Sequence, residues 1–187
     1  SVMDINDIDV LLSNMNYSRG SATGTIDNQG SLTATAGSVV LLAPTVKNSG
    51  TISASGGNAA LINADAVSLT APDPSITTAS SITGLIQQSG NITATQVSSV
   101  GGKILLTGDT SQSASQIQLA GTLDASSNSN VNGRSILING DVNLNGASNV
   151  LDLTSTDGYS LSNAVAVNLN GASSGFSVNG TAYTVIS

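Results

Sequence analysis

The stretch from Val46 to Gly57 reads VKNSGTISASGG, and its pattern stands earlier from Ile26 as IDNQGSLTATAG and later from Ile86 as IQQSGNITATQ. No other feature constrains the fold as strongly. With Gly30, Gly50, Gly90, Gly121 and Gly140 as markers, Ile26, Val46, Ile86, Ile117 and Ile136 stand four residues before them. Leu32, Ile52, Ile92, Leu123 and Val142 stand two residues after. Ala34, Ala54, Ala94, Ala125 and Leu144 stand four after. Each step of two keeps one face, which is the period of a strand and not of a helix. The markers are 20, 40, 31 and 19 residues apart, so the unit is near 20 residues, with one degenerate unit near Thr70 and an insertion of 11 before Gly121.

A unit of this length cannot bury its own apolar face. Stacked on its neighbours at the ~4.8 Å strand spacing, it buries a continuous core. The sequence therefore predicts an all-β parallel β-helix of about 20-residue coils, with roughly eight coils forming a rod about 40 Å long. Ile, Val and Leu columns fill the interior, and alanine marks close walls. Asn28, Asn48 and Gln88 occupy one position, two residues before the marker. There they can stack as an inward amide ladder, each hydrogen-bonded to the next. A second strand family is read in GSVVLLAP (37–44), GNAALINA (57–64) and GGKILLTG (101–108). Polar, turn-rich insertions are read at 71–80, 110–116 and 126–133. Residues 1–25 read as degenerate first coils, 26–144 as regular coils and 145–187 as less regular terminal ones. The competing architecture is a β-sandwich with Gly-rich turns, which explains strands but not columns in register.

Composition narrows the function. The net charge is −7, all eleven acids are aspartate, and Arg19, Lys47, Lys103 and Arg134 are the only cations. A nucleic-acid partner requires a basic stripe that this chain does not have. There is no His and no Cys, which removes the usual nucleophilic triads, Cys/His zinc sites and disulfides. No cofactor is implied. Low charge with 39% hydrophobic residues argues against plain disorder.

The order GSVVLLAPTVKNSGTISASGGNAALINADAVSLT (37–70), GLIQQSGNITAT (84–95) and GGKILLTGD (101–109) resembles the filamentous-haemagglutinin-like exoproteins of Gram-negative bacteria. MDINDIDVLLSN (3–14) resembles the later part of their secretion domain, and FSVNGTAYTVIS (176–187) resembles a segment that recurs in large adhesins of the group. The resemblance covers nearly the whole chain. It implies a right-handed parallel β-helix, export by two-partner secretion through an outer-membrane transporter, and a place at the bacterial surface. The family's Asn-Pro-Asn motifs and amino-terminal cap would precede residue 1. No Asn-Pro pair occurs here, so the chain reads as an interior segment of a longer exoprotein.

Candidate chemistry is sparse. Asp4, Asp7 and Asp9 could form a carboxylate cluster for a polysaccharide-active enzyme, and Asp7 and Asp9 could bind a stray calcium ion, against the plainer reading of a solvated strand edge. Asp65, Asp109, Asp124 and Asp141 sit where turns are expected, an ordinary place for aspartate. Thr33, Thr35, Ser53, Ser55, Thr93 and Thr95 project outward as a hydroxyl face. Such a face suits a weak glycan contact or, were it more regular, ice binding; threonine is also simply a good exposed strand residue. Asn16, Asn91 and Asn179 open glycosylation triplets, which an Asn-, Ser- and Thr-rich chain also produces by chance. The leading expectation is a non-enzymatic, secreted adhesin or stalk segment with a surface receptor or glycan as partner. The alternative is a filament or matrix subunit that self-associates end to end through open strand edges.

Overall fold

The computed structural model describes residues 4–5, 14–18, 23–35, 37–64, 66–70, 76–79, 85–95, 103–108, 115–125, 128–145, 149–155, 159–161, 167–169, 175–178 and 181–183. Among them there are strands, turns and connections, and no helix.

Strands β1 (Asp4–Ile5) and β2 (Asn14–Ser18) precede a regular succession. Strands β3 (Thr25–Asn28), β4 (Ser31–Ala34) and β5 (Val39–Leu42) form the first course. Strands β6 (Thr45–Asn48), β7 (Thr51–Ser55) and β8 (Ala59–Ile62) form the second. Each strand lies parallel to its counterpart: Ile26 opposite Val46, Leu32 opposite Ile52, Leu41 opposite Leu61. After β9 (Ala66–Thr70) and β10 (Ile76–Ala79) the chain returns with β11 (Leu85–Gln88), β12 (Asn91–Thr95) and β13 (Ile104–Thr107). These pair in parallel with β6, β7 and β8.

The long strand β14 (Gln116–Ala125) takes both positions of the next course, followed by β15 (Asn128–Gly133). The same holds for β16 (Ser135–Asn145) and β17 (Val150–Ser155). Strands β18 (Tyr159–Leu161), β19 (Val167–Leu169) and β20 (Gly175–Val178) continue the stack. Finally β21 (Thr181–Tyr183) turns back antiparallel on β20.

Two sheets carry the parallel stack, one of ten strands and one of seven. A third, four-stranded sheet, β1-β2-β9-β10, is antiparallel throughout. All-β composition with parallel sheets is an arrangement compatible with a β-helix or solenoid. The row β3-β6-β11-β14-β16-β18 is six strands deep among the described residues. At ~4.8 Å per step that spans roughly 24 Å, shorter than the eight-coil rod read from the sequence.

The core lies between the two parallel sheets. Val46, Ile86, Ile117 and Ile136 line one wall, Ile52, Ile92, Leu123 and Leu144 a second, and Leu61, Leu106, Val131 and Leu153 a third; all are buried. The cause is register: branched aliphatics one above another give dense contact without large aromatic anchors.

Four expectations from the sequence are corrected. There is no degenerate unit near Thr70 in the stack, because Val46 pairs directly with Ile86 across 40 residues. The extra length holds the antiparallel pair β9–β10, whose free side takes β2. Residues 4–5 and 14–18 are therefore strands of the antiparallel sheet and not degenerate first coils. The polar stretch 126–133 is not a loop insertion: Asn128–Gly133 is β15, seated between β13 and β17. Its alternation explains this, with Ser129 and Val131 buried and Asn132 exposed. Last, Val142 does not continue the Leu123 position. The pairing slips between Leu119 and Gly121, so Val142 faces Gly121 and Leu144 faces Leu123.

Candidate functional site

Three features could carry function: a polar outer face, an inward amide ladder and the edge of the first course. The outer face follows from strand alternation. With Leu32, Ile52, Ile92 and Leu123 on one side of their strands, the residues between them take the other. Thr33, Ser53, Thr93 and Asp124 stand in one row. Thr33 is exposed, and Ser53, Thr93 and Asp124 are half-buried. Thr35 is exposed just beyond β4, Ser55 is half-buried, and Thr95 pairs with Ser55. Thr33, Ser53 and Thr93 thus stand in register on one side of adjacent strands.

A neighbouring row holds Asp27, Lys47, Gln87 and Gln118. With Gln29, Asn48, Ser49 and Ser89, the first three of these line a depression of about 280 Å³. The Gln29 side chain donates to an Asp27 carboxylate oxygen at 2.9 Å. The depression holds one carboxylate, one ammonium and several amides and hydroxyls, with no aromatic ring. It can hydrogen-bond a polyhydroxylated or amide-bearing ligand, and it offers no nucleophile–base pair.

Behind this face runs the ladder. Asn28 Nδ2 donates to Asn48 Oδ1 at 2.7 Å, and Asn48 Nδ2 donates to Gln88 Oε1 at 2.8 Å. Gln88 Nε2 ends the chain on the Gly90 carbonyl at 2.9 Å. Asn48 and Gln88 are buried almost completely. The next position is Leu119, so the ladder stops where the row turns aliphatic. The backbone repeats the same joint. The Asn28 carbonyl accepts from the N–H groups of Ser49 and Gly50, and the Asn48 carbonyl from those of Ser89 and Gly90.

A second inward amide gave no repeat signal. Asn149 is fully buried; its Oδ1 accepts from Ser129 at 2.8 Å, and its Nδ2 donates to the Leu123 and Asn145 carbonyls at 2.9 Å. Asn58 is also buried, its Oδ1 accepting from the Lys103 N–H at 3.1 Å.

The marker glycines are explained by the distance between courses. A Cβ on Gly50 would lie 2.1 Å from the Gly30 carbonyl oxygen, one on Gly90 the same distance from that of Gly50, and one on Gly121 2.2 Å from that of Gly90. No side chain fits there. Gly140 is out of this column, its added Cβ meeting the Ala120 side chain instead.

The first course differs. Leu32, expected in the core, is 36% exposed, and Ile26 is only partly buried. The reason is position: β3, β4 and β5 have a parallel partner on one side only among the described residues.

Among the described residues no three acidic side chains come together. Asp7, Asp9, Asp65 and Asp109 lie outside them, and of the early carboxylates only Asp4 falls within a described strand. Asp124, half-buried, lies within β14 and Asp141, exposed, within β16, so neither sits at the turn expected from the sequence. Asn91 is exposed at the start of β12, Asn16 falls in β2, and Asn179 lies outside the described residues. No family model matches the chain, and neither a curated protein nor a solved structure matches it.

Proposed function

We propose that this chain is a non-enzymatic attachment segment: a right-handed parallel β-helix of about 20-residue coils that holds a polar face at fixed spacing. The observation that supports this reading most directly is the in-register outer surface over an aliphatic core. Asp27, Lys47 and Gln87 stand in adjacent strands, with the hydroxyl row beside them. Strands ~4.8 Å apart present hydrogen-bonding groups on a rigid lattice, so a repetitive ligand can engage several rows at once. A surface glycan is such a ligand. Its contacts would be individually weak and strengthened by repetition.

The family resemblance of residues 37–109 adds the setting: secretion through an outer-membrane transporter and display at a bacterial surface. Rigidity suits that task, since the described courses are hydrogen-bonded to one another along their strands.

The test is binding of the purified chain to a panel of immobilised host and bacterial glycans. The reading expects saturable binding to at least one class, weakened about tenfold by joint Lys47→Ala and Gln87→Ala replacement. Binding to none of the panel, or binding indifferent to that double replacement, would refute it.

A further inference from the structure

The outer face of β4, β7, β12, β14 and β16 carries two unbroken polar rows. Ser31, Thr51, Asn91, Thr122 and Asn143 stand opposite one another from strand to strand. Two residues further along each strand, Thr33, Ser53, Thr93, Asp124 and Asn145 do the same. Neither row crosses the register slip, which lies before Thr122. All of these side chains are exposed or half-buried. None is longer than an asparagine, none is apolar, and only Asp124 is charged. The side chains of Thr51, Ser53, Asn91 and Thr93 have no hydrogen-bond partner among the described residues, so they are open to a ligand.

The other faces of the stack are different. Beside these rows, the outer positions of β11 and β16 include Leu85 and Leu137 among long glutamines. The outer face of β5, β8 and β13 is apolar, with Val40, Ala60 and Leu105 in one row.

Geometry selects the ligand. Along the stack the hydrogen-bonding groups repeat at ~4.8 Å, the strand spacing, and the two rows run roughly 7 Å apart. A glycan joined through equatorial bonds, as in cellulose and chitin, is an extended ribbon that advances nearly one strand spacing per sugar. Its hydroxyls lie along two edges, one above each row. A glycan with axial bonds curls and loses step after a sugar or two. Charge selects further. Neither row holds a cation, Asp124 is an anion, and the chain carries −7 overall, so a polyanionic glycan is repelled.

We infer that this face binds an uncharged, equatorially linked glycan chain lying along the stack axis, one sugar to a course. The inference rests on the glycan-binding reading above and names its ligand. With no aromatic ring to stack on, each sugar contributes little, and affinity comes from engaging successive courses together.

The probes are cellohexaose, which carries only hydroxyls, and chitohexaose, which adds acetamides, each titrated calorimetrically into the intact chain. Saturable binding of at least one is expected. Within the bound series, affinity should rise about tenfold or more from the disaccharide to the hexasaccharide. Maltohexaose, built from the glucose of cellohexaose through axial bonds, should not bind. Joint Thr51→Val and Thr93→Val replacement keeps β-branched residues in the strands and should weaken hexasaccharide binding about tenfold with the melting temperature unchanged. Binding of neither hexasaccharide, equal binding of maltohexaose, or indifference to the valine pair overturns the inference. If another glycan then binds in a manner dependent on Lys47 and Gln87, the attachment reading survives without it. If no glycan binds, both fall.

Discussion

The first and second courses carry nearly the same pattern and live in different surroundings. TIDNQGSLTA (25–34) and TVKNSGTISA (45–54) align position by position. In the second, Ile52 is fully buried, Asn48 both accepts and donates within the ladder, and Gly50 touches a carbonyl above it. In the first, Leu32 is exposed, the Asn28 side-chain oxygen has no donor among the described residues, and Gly30 borders open space. The comparison teaches that in a stacked fold a residue's energetic weight is set by whether a course lies on both sides of it. The repeat assigns each residue its direction, and the neighbours assign its worth.

Paired substitutions test that comparison, measured as unfolding free energies in denaturant. The largest contrast is at the glycines. Gly50→Ala drives a methyl into the Gly30 carbonyl and should cost about 3 kcal/mol or more, while Gly30→Ala should stay within about 0.5 kcal/mol. Equal costs at the two positions would break the comparison.

Next come the aliphatics. Ile52→Ala should lose about 3 kcal/mol, from lost transfer energy and the cavity left behind; Leu32→Ala should lose less than about 1 kcal/mol. A large loss at Leu32 would mean that its side is covered in solution.

The ladder comes third. Asn48→Ala removes two side-chain hydrogen bonds and leaves the Gln88 oxygen unsatisfied, at about 2 kcal/mol. Asn28→Ala removes the terminal rung and should cost about 1 kcal/mol. The smallest effect is on the outer face, where Thr33→Ala and Ser53→Ala should each change stability by less than about 0.5 kcal/mol. A greater loss there would show that the hydroxyl row supports the fold.

Much of the interior was legible because the courses stack like on like. Ile26, Val46, Ile86, Ile117 and Ile136 share one position in sequence and one row in space. The Asn28, Asn48, Gln88 series reads the same way. The misreadings have specific causes. A constant offset from the glycines holds only while both halves of a course keep step. Between β14 and β16 the Ile117–Ile136 interval is 19 residues and the Leu123–Leu144 interval 21, with the slip between them. Polar β15 looked like a loop because its outward positions are asparagine, although Ser129 and Val131 face inward.

VVLL in β5 and AALI in β8 lack alternation, and the reason is spatial. Leu41, Ala59 and Leu61 belong to the main core, while Leu42, Ala60 and Ile62 form a second buried cluster with Val40 and Leu105. A continuous apolar run is the signal of a strand buried on both faces, and here it was present.

What the sequence determined by itself is the period-two alternation, the stacking residues and the absence of histidine and cysteine chemistry. These are local or compositional properties, and repetition makes them readable. Only the tertiary structure decided which course stands at the edge, where the register slips, and which strands leave the stack to pair antiparallel. Those depend on contacts between residues far apart in the chain. Gly30 and Gly50 are the same letter, and the carbonyl that distinguishes them belongs to another course.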